Sequence, residues 1–181
     1  MRVIAGTARR LPLKTPAGTD VRPTTDRIKE TLFNILQGDV GDSVFVDLFS
    51  GSGGIGIEAL SRGAKKAYFV EHDKRTAGFI RENLAFTRLA DRAVVLQQDV
   101  FYALYQIREQ ADLIFMDPPY DQGLEQQVLQ RLREADFVTE DTQIIIESSL
   151  DTEYSWLENS GFLLLREKRY KTNKHVFVRR A

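Results

Sequence analysis

Residues 44–60 read VFVDLFSGSGGIGIEAL, and this stretch decides the fold. The apolar run at 44–49 is typical of a buried strand, and the C-terminal end of the stretch has the pattern of a helix. Between them, Gly51, Gly53 and Gly56 match G-x-G-x-x-G. Glycines let a backbone turn tightly and approach a ligand, and the start of a helix offers unpaired N–H groups. The stretch therefore predicts a ligand-binding turn between strand and helix, with a turn that only packs the helix as the alternative.

On the C-terminal side of this unit, apolar strands alternate with amphipathic helical segments. The further strands are read at 67–73, 93–99, 111–117 and 142–149. The C-terminal segments FLLLREKRY and KHVFVRR read as a hairpin. Alternation of this kind gives a parallel sheet with helices on both faces. The sequence therefore predicts an α/β, Rossmann-like fold with a mostly parallel seven-stranded sheet and an antiparallel C-terminal hairpin.

We expect a single domain over residues 1–181, because the sequence contains neither a linker nor a repeat. Its first part is a basic N-terminal arm over 1–22, in which two short segments read as a hairpin. An N-terminal helix follows over 23–38, and the Rossmann-like core occupies 44–181.

The N-terminal helix has clear boundary signals. Thr24 or Thr25 is a natural N-cap, and Gly38 closes the pattern. Lys29 and Glu30 are expected on the solvated face of this helix.

Composition limits the possible functions. The chain has 181 residues with no cysteine and two histidines, so we expect no disulfide and no metal site. No apolar run reaches the length of a signal peptide or a membrane span, which predicts a cytoplasmic protein without membrane contact. The net charge is −1, but residues 1–35 hold seven basic and three acidic residues, and residues 160–181 hold seven and one. These basic ends either grip a polyanion or only aid solubility.

Four successive predicted strands end in an acid: Asp47, Glu71, Asp99 and Asp117. In open α/β sheets, ligands bind outside the carboxyl ends of the strands, so these acids should meet in one cleft. Glu71 can accept the hydroxyls of a ribose, and Asp99 can accept the amino group of an adenine. Asp47 would repel the pyrophosphate of a dinucleotide, whereas it suits the cationic S-adenosylmethionine. The row of acids therefore favours S-adenosylmethionine as the cofactor.

Residues 114–120 read IFMDPPY, and this motif would face the methyl group of the cofactor. The Asp117 carboxylate and the Pro118 carbonyl can each accept one N–H of an exocyclic amine, which aims its lone pair at the methyl group. Proline fixes φ and so holds that carbonyl in place. Tyr120 can stack on the base. The motif therefore predicts methylation of a base amine, although a rigid turn that ends a strand is the alternative.

The segments DLFSGSGGIGIEALSRGA, VEHD, QQD and DPPY resemble the motifs of class I S-adenosylmethionine-dependent methyltransferases that act on amines. The stretch RPTTDRIKETLFNIL resembles, more narrowly, the RsmD family, which methylates the N2 amine of a guanine in 16S ribosomal RNA. The resemblance implies catalytic roles for Asp117, Pro118 and Tyr120. It also implies a cofactor site, to which we assign Asp47, Gly51, Ser52, Gly53, Glu71, His72, Asp99 and Val100.

We expect RNA to be held by the two basic ends, with phosphate contacts from Arg9, Arg10, Arg22, Lys171 and Lys174. The expected substrate is 16S ribosomal RNA within a small ribosomal subunit or an assembly particle, and the protein is expected to be a monomer. Three alternatives stay open at this point. They are a DNA adenine-N6 methyltransferase, an NAD-dependent oxidoreductase that uses the glycine turn, and a non-catalytic RNA-binding module.

Overall fold

The computed structural model describes residues 1–17 and 25–181. Its centre is one seven-stranded sheet with the strand order β3-β2-β1-β4-β5-β7-β6. The first five strands in the chain pair in parallel, and β7 runs antiparallel to both of its neighbours. The strands are β1 (Val44–Leu48), β2 (Lys66–Val70), β3 (Ala93–Leu96), β4 (Ala111–Met116), β5 (Val138–Ser149), β6 (Phe162–Arg169) and β7 (Asn173–Arg180). The predicted mostly parallel sheet with an antiparallel C-terminal hairpin is confirmed.

Helices cover both faces of the sheet. They are α1 (Asp26–Ile35), α2 (Gly54–Ser61), α3 (Lys74–Thr87), α4 (Val100–Ala103) and α5 (Leu124–Arg133). Apolar side chains of α1, α2 and α3 pack in one core, and those of α4 and α5 pack in the other. Thr25 caps α1, since its side chain accepts a hydrogen bond from the backbone N–H of Ile28. Across the described parts of the chain, no helix is long and apolar enough to cross a membrane.

The N-terminal arm packs against α2 as part of the α1–α3 core. Residues 1–13 form a narrow hairpin, with a bridge between Arg2 and Pro12, and Val3 and Leu13 are buried. The backbone N–H groups of Ile4 and Ala5 donate to the two carboxylate oxygens of Glu58 at 2.9 and 3.0 Å. The arm is therefore fixed to the middle of α2 by both apolar burial and backbone hydrogen bonds.

Lys29 departs from its expected position. Its side chain is 1% exposed and pairs with Glu58, whereas Glu30 is exposed as expected. The expectation of a solvated Lys29 is wrong, because the carboxylate that balances it comes from a different helix.

Strand register decides which side chains share a face. Asp47 lies opposite Phe69 of β2 and Phe115 of β4. Side chains alternate along a strand, and Glu71 and Asp117 lie two residues after Phe69 and Phe115. They therefore point to the same face as Asp47. The carboxyl edge of the sheet therefore gathers acids on the side that α1, α2 and α3 cover.

Candidate active site

A cleft of about 1300 Å³ opens at the carboxyl edge of the parallel strands. The four acids that the sequence singled out, Asp47, Glu71, Asp99 and Asp117, all line it. The glycine turn forms one wall, residues 117–120 form another, and α1 and the β6–β7 turn border the mouth. The site is therefore built where the reversal of strand order leaves an opening, as expected for an open α/β sheet.

The glycine turn owes its shape to two glycines with different roles. Gly53 is the N-cap of α2 and has a φ of 87°, in the left-handed region that favours glycine. Gly56 lies inside the helix, and a Cβ there would come within 2.4 Å of the Phe69 ring. Helix α2 can therefore approach strand β2 closely only with glycine at position 56.

Asp47 lies beneath this turn. Its Oδ2 accepts a hydrogen bond from the backbone N–H of Gly56 at 3.0 Å, in the first turn of α2. Burial raises the pKa of Asp47 to about 8, which the Gly56 hydrogen bond opposes and the negative charge of Glu71 reinforces. A cation bound nearby would favour the charged form of Asp47, so this wall of the cleft is suited to a positively charged ligand.

Glu71 connects the second strand to the turn. Its Oε2 accepts from the backbone N–H of Gly51 at 3.0 Å, and its Oε1 accepts from that of Asp73 at 2.9 Å. Each carboxylate oxygen has a second lone pair that can accept a ligand hydroxyl. His72 lines the cleft beside it with a side chain that is 79% exposed, and its Nδ1 lies 3.3 Å from Glu71 Oε1.

The third strand brings a polar residue and an apolar one to the cleft. Asp99 caps α4 by accepting from the backbone N–H of Phe101 at 2.9 Å, and its side chain is exposed. Val100 is buried and lines the same wall. An acceptor next to an apolar surface is the combination that the amino group and ring of an adenine require.

Asp117 follows the last residue of β4. Burial raises the pKa of Asp117 to about 8, and the negative charges of Glu147 and Asp47 add to this shift. Pro118 after it is buried, and Tyr120 is 40% exposed and lines the cleft. The motif thus presents a carboxyl group, a fixed backbone carbonyl and an aromatic ring at one opening.

Sequence reasoning missed a buried polar network beside Asp117. Glu147, at the carboxyl end of β5, accepts from Asn173 Nδ2 at 2.7 Å and lies 3.0 Å from His175 Nε2. The Tyr170 hydroxyl lies 3.1 Å from His175 Nδ1. Glu147 and Asn173 both line the cleft. The signal was present, because IIIE at 144–147 is a fifth apolar strand that meets an acid.

The basic residues assigned to RNA binding differ in where the structure places them. Lys171 is exposed and lines the cleft mouth, together with Arg27, Lys168 and Arg169. Lys174 does not have the exposure expected of a phosphate contact. Its side chain is 6% exposed, and its ammonium pairs with Glu167 at 3.4 Å. This burial contradicts the expected role of Lys174 in binding RNA.

Arg9 and Arg10 are exposed but lie away from the cleft. The backbone N–H of Thr7, at the same hairpin tip, donates to the carbonyl of Ser61, the last residue of α2. Gly54, the first residue of that helix, lines the cleft, and a helix of this length spans roughly 11 Å. The two arginines therefore do not border the site. Arg22 lies outside the described residues.

The described residues contain no cluster of three or more His, Asp or Glu side chains that could hold a metal ion. The acids, the glycine turn and the Asp-Pro-Pro-Tyr motif are the groups that the cleft brings together. A Rossmann-like sheet with acids at successive strand ends, a glycine turn under the first helix of the core, and this motif after β4 define a class I methyltransferase.

Comparison with known proteins identifies the family. A family model described as "Conserved hypothetical protein 95" matches residues 1–179, and the chain belongs to this family, the RsmD family. Ribosomal RNA small subunit methyltransferase D of Haemophilus influenzae is 38% identical over 173 residues, which cover 93% of this chain and 88% of the relative. The protein of the same name from Escherichia coli K12 is 35% identical over 151 residues, or 83% and 76% of the two chains.

A solved structure supports the same assignment. The Escherichia coli protein yhhF superposes with a TM-score of 0.88 and 32% sequence identity, over 99% of this chain and 97% of that one. The similarity covers the arm, the sheet and the C-terminal hairpin together. The predicted fold class and the resemblance to the RsmD family are confirmed.

Proposed function

We propose that this protein transfers a methyl group from S-adenosylmethionine to the N2 amine of a guanine in 16S ribosomal RNA. The observation that carries the proposal is that Asp117 and Pro118 line one cleft together with the acids of the other strand ends and the basic residues of its mouth. The relatives named as small-subunit ribosomal RNA methyltransferases support ribosomal RNA as the substrate.

The residues of the acidic wall fit S-adenosylmethionine. Two carboxyl groups with raised pKa values, the buried Asp47 and the half-buried Asp117, would both be stabilised in their charged form by a cationic ligand. Glu71 would accept from the ribose hydroxyls, and Asp99 and Val100 would bind the adenine. Gly51 and Ser52, which line the cleft, would hold the amino-acid end of the cofactor, and His72 lines the same cleft. Gly53 would act indirectly, since it is the N-cap of α2 and shapes the turn. When bound, the cofactor supplies an electrophilic methyl group.

The chain's own residues would orient the amine. The amine of a base is a weak nucleophile, because its lone pair is delocalised into the ring. Asp117 and the Pro118 carbonyl accept its two N–H bonds, which fixes the direction of the lone pair. Tyr120 stacks on the ring and holds the base out of its helix. Asp117, with a pKa of about 8, is also suited to accept the proton that the amine loses.

RNA would approach over the mouth of the cleft. Arg27, Lys168, Arg169 and Lys171 surround this opening and can contact phosphates on both sides of the target base. The target base must be unpaired or flipped, because an amine inside a duplex cannot reach the cleft. We propose a cytoplasmic monomer that acts on a small-subunit particle, in which ribosomal proteins can add contacts that this small chain lacks.

The glycine turn disfavours a dinucleotide as the cofactor. Asp47 Oδ2 is bonded to the backbone N–H of Gly56 in the first turn of α2, where a pyrophosphate would otherwise be held. Because this N–H is already bonded to Asp47, it is not available to a pyrophosphate, so an NAD-dependent reaction is not favoured. A DNA adenine methyltransferase would use the same motif, and the product of the reaction distinguishes it from the proposed enzyme.

The test is transfer of tritiated methyl groups to ribosomal RNA from particles that were never methylated by this enzyme. Nucleoside digestion should then show label only in N2-methylguanosine. Asp117→Ala should abolish transfer while S-adenosylhomocysteine still binds in isothermal titration. Label in another nucleoside, or unchanged transfer by Asp117→Ala, would contradict the proposal.

A further inference from the structure

Asn173 has a buried side-chain oxygen with no partner. The residue is 6% exposed, lines the cleft and is the first residue of β7. Its Oδ1 is buried and makes no hydrogen bond within residues 1–17 and 25–181. Most buried polar atoms in proteins are hydrogen-bonded, so an unsatisfied acceptor on a cleft wall indicates a ligand donor.

The orientation of this amide follows from its neighbours. Asn173 Nδ2 donates to Glu147 Oε1 at 2.7 Å. A carboxylate only accepts, so the NH₂ group of Asn173 must face Glu147 and the oxygen must face away. A reversed amide would bring two acceptors together at that distance.

His175 and Tyr170 fix Glu147 in turn. Because Glu147 accepts, His175 Nε2 carries the hydrogen in their 3.0 Å contact. In the neutral ring His175 Nδ1 is then the acceptor, and it receives the Tyr170 hydroxyl at 3.1 Å. Burial raises the pKa of Tyr170 to about 12, which keeps this hydroxyl a donor. With His175 neutral, each contact of the chain has one donor and one acceptor, and the chain ends in the Asn173 oxygen that has no partner within the described residues.

Asn173, Glu147 and Asp117 line one cleft, and an acceptor there can select among the bases. In guanine, the amine at C2 neighbours N1–H, which is a donor. In adenine and cytosine, the ring nitrogen beside the amine is an acceptor. We infer that Asn173 determines specificity for guanine: its Oδ1 accepts N1–H of the base whose N2 amine Asp117 holds. This inference rests on the proposed function, and it adds the residue that recognises the base.

The same arrangement rejects the other bases by repulsion. An adenine with its amine at Asp117 would direct the N1 lone pair toward an acceptor. A site built to bond one donor strongly rejects an analogue that lacks it, because the buried partner is left unsatisfied. A freely rotating amide would accept either base, so the fixed orientation is what provides the selectivity.

The experiment compares two RNAs that differ at the target nucleotide alone. Methylation by the wild-type protein first identifies the target nucleotide. A synthetic fragment with either guanosine or 2,6-diaminopurine riboside at that position is then ligated into the RNA. Diaminopurine keeps the amine at C2 but has a lone pair at N1. We expect wild-type kcat/KM to favour guanosine by ~10–100-fold, in line with one unsatisfied buried group. Asn173→Ala should reduce this preference to within about threefold.

A purely structural role for Asn173 would lower both rates by one factor and leave their ratio unchanged. The different substituent at C6 affects both enzymes, so it cancels when the two preferences are compared. Asn159→Ala removes an exposed asparagine that does not line the cleft, and it should keep the wild-type preference. An unchanged preference in Asn173→Ala would overturn the inference while the proposed function stands.

Glu147→Gln provides a second test that leaves Asn173 in place. Glutamine both donates and accepts, so it no longer fixes the amide, and the preference for guanosine should fall. S-adenosylhomocysteine titration and thermal melting check that each variant is folded. If Asn173→Ala does not fold, the guanosine preference of Glu147→Gln tests the inference instead. If the wild-type protein places no methyl group on guanine N2 of native RNA, the proposed function fails, and the inference fails with it.

Discussion

Lys29 Nζ lies 3.3 Å from Glu58 Oε2, and the two side chains are 1% and 0% exposed. Glu58 also accepts from the backbone of Ile4 and Ala5 and from Arg62 Nε. One carboxylate thus joins the arm, α1 and α2. Burial lowers the pKa of Lys29, and the charge of Glu58 opposes that shift. Since the arm and α1 both contribute to the cleft, this contact links stability to the shape of the active site.

Glu58→Gln should therefore destabilise the protein more than Lys29→Met does. Glutamine is uncharged, so in Glu58→Gln the buried Lys29 ammonium loses its counter-charge, which costs about 3–5 kcal/mol. Without Lys29, Glu58 keeps Arg62 and two backbone donors, so the loss should be smaller. Urea unfolding measures both free energies, and hydrogen exchange at Ile4 and Ala5 should accelerate in Glu58→Gln. A larger loss in Lys29→Met would show that Glu58 is not the centre of this contact.

Gly56→Ala should lower the free energy of unfolding. The added methyl group would come within 2.4 Å of the Phe69 ring, which is fully buried, and such overpacking costs about 1–3 kcal/mol. Gly78→Ala is the matched control within α3, because a Cβ there meets no atom of the described residues within 4 Å. That change should stabilise by about 0.4–1 kcal/mol. Chemical denaturation measures the change in the free energy of unfolding for each variant. Changes of opposite sign support the close approach of α2 and β2, whereas equal changes exclude it.

Asp117→Asn should stabilise the protein at alkaline pH. The pKa of Asp117 is raised to about 8 in the folded state, so between pH 4 and pH 8 the folded protein holds a proton that the unfolded chain has lost. The contribution of Asp117 to stability then falls as pH rises through this window, and above pH 8 the full penalty is present. Asparagine removes the penalty, which we expect to be worth ~2–5 kcal/mol.

Thermal melting of both proteins at pH 5 and pH 8.5 measures this difference. The gain in Tm from Asp117→Asn should be larger at pH 8.5. A gain that is equal at the two pH values would mean that Asp117 titrates normally. In methyl transfer, kcat/KM of the wild-type protein should rise with pH through the same pKa, since the carboxylate form accepts the amine N–H.

Local patterns in the sequence were enough to predict the fold and the acidic wall. Strand periodicity and the position of each acid after an apolar run placed Asp47, Glu71, Asp99 and Asp117 at one edge. Glu147 also comes directly after an apolar run, in the fifth strand, so the same rule would have predicted it.

Other features could not be predicted, because they depend on contacts between distant parts of the chain. Lys29 is buried only because Glu58 of another helix faces it. Strand β7 is buried on both faces through residues 173–178, so no alternation of polarity showed that Lys174 and His175 point to opposite sides. The position of Arg9 depends on how the arm docks on Ser61, which composition does not specify.

Lys171→Glu should weaken binding of ribosomal RNA more than Arg9→Glu does. Lys171 borders the cleft, whereas Arg9 lies at the opposite end of α2, and both side chains are exposed. A phosphate contact that is lost at the cleft should reduce the slope of log K against log salt concentration by about 1. The two variants change net charge equally, so a general electrostatic effect would weaken binding equally. Filter binding at two salt concentrations measures the slopes, and S-adenosylhomocysteine affinity should stay constant. If Arg9→Glu weakens binding as strongly as Lys171→Glu, the cleft mouth is not the main contact surface for RNA.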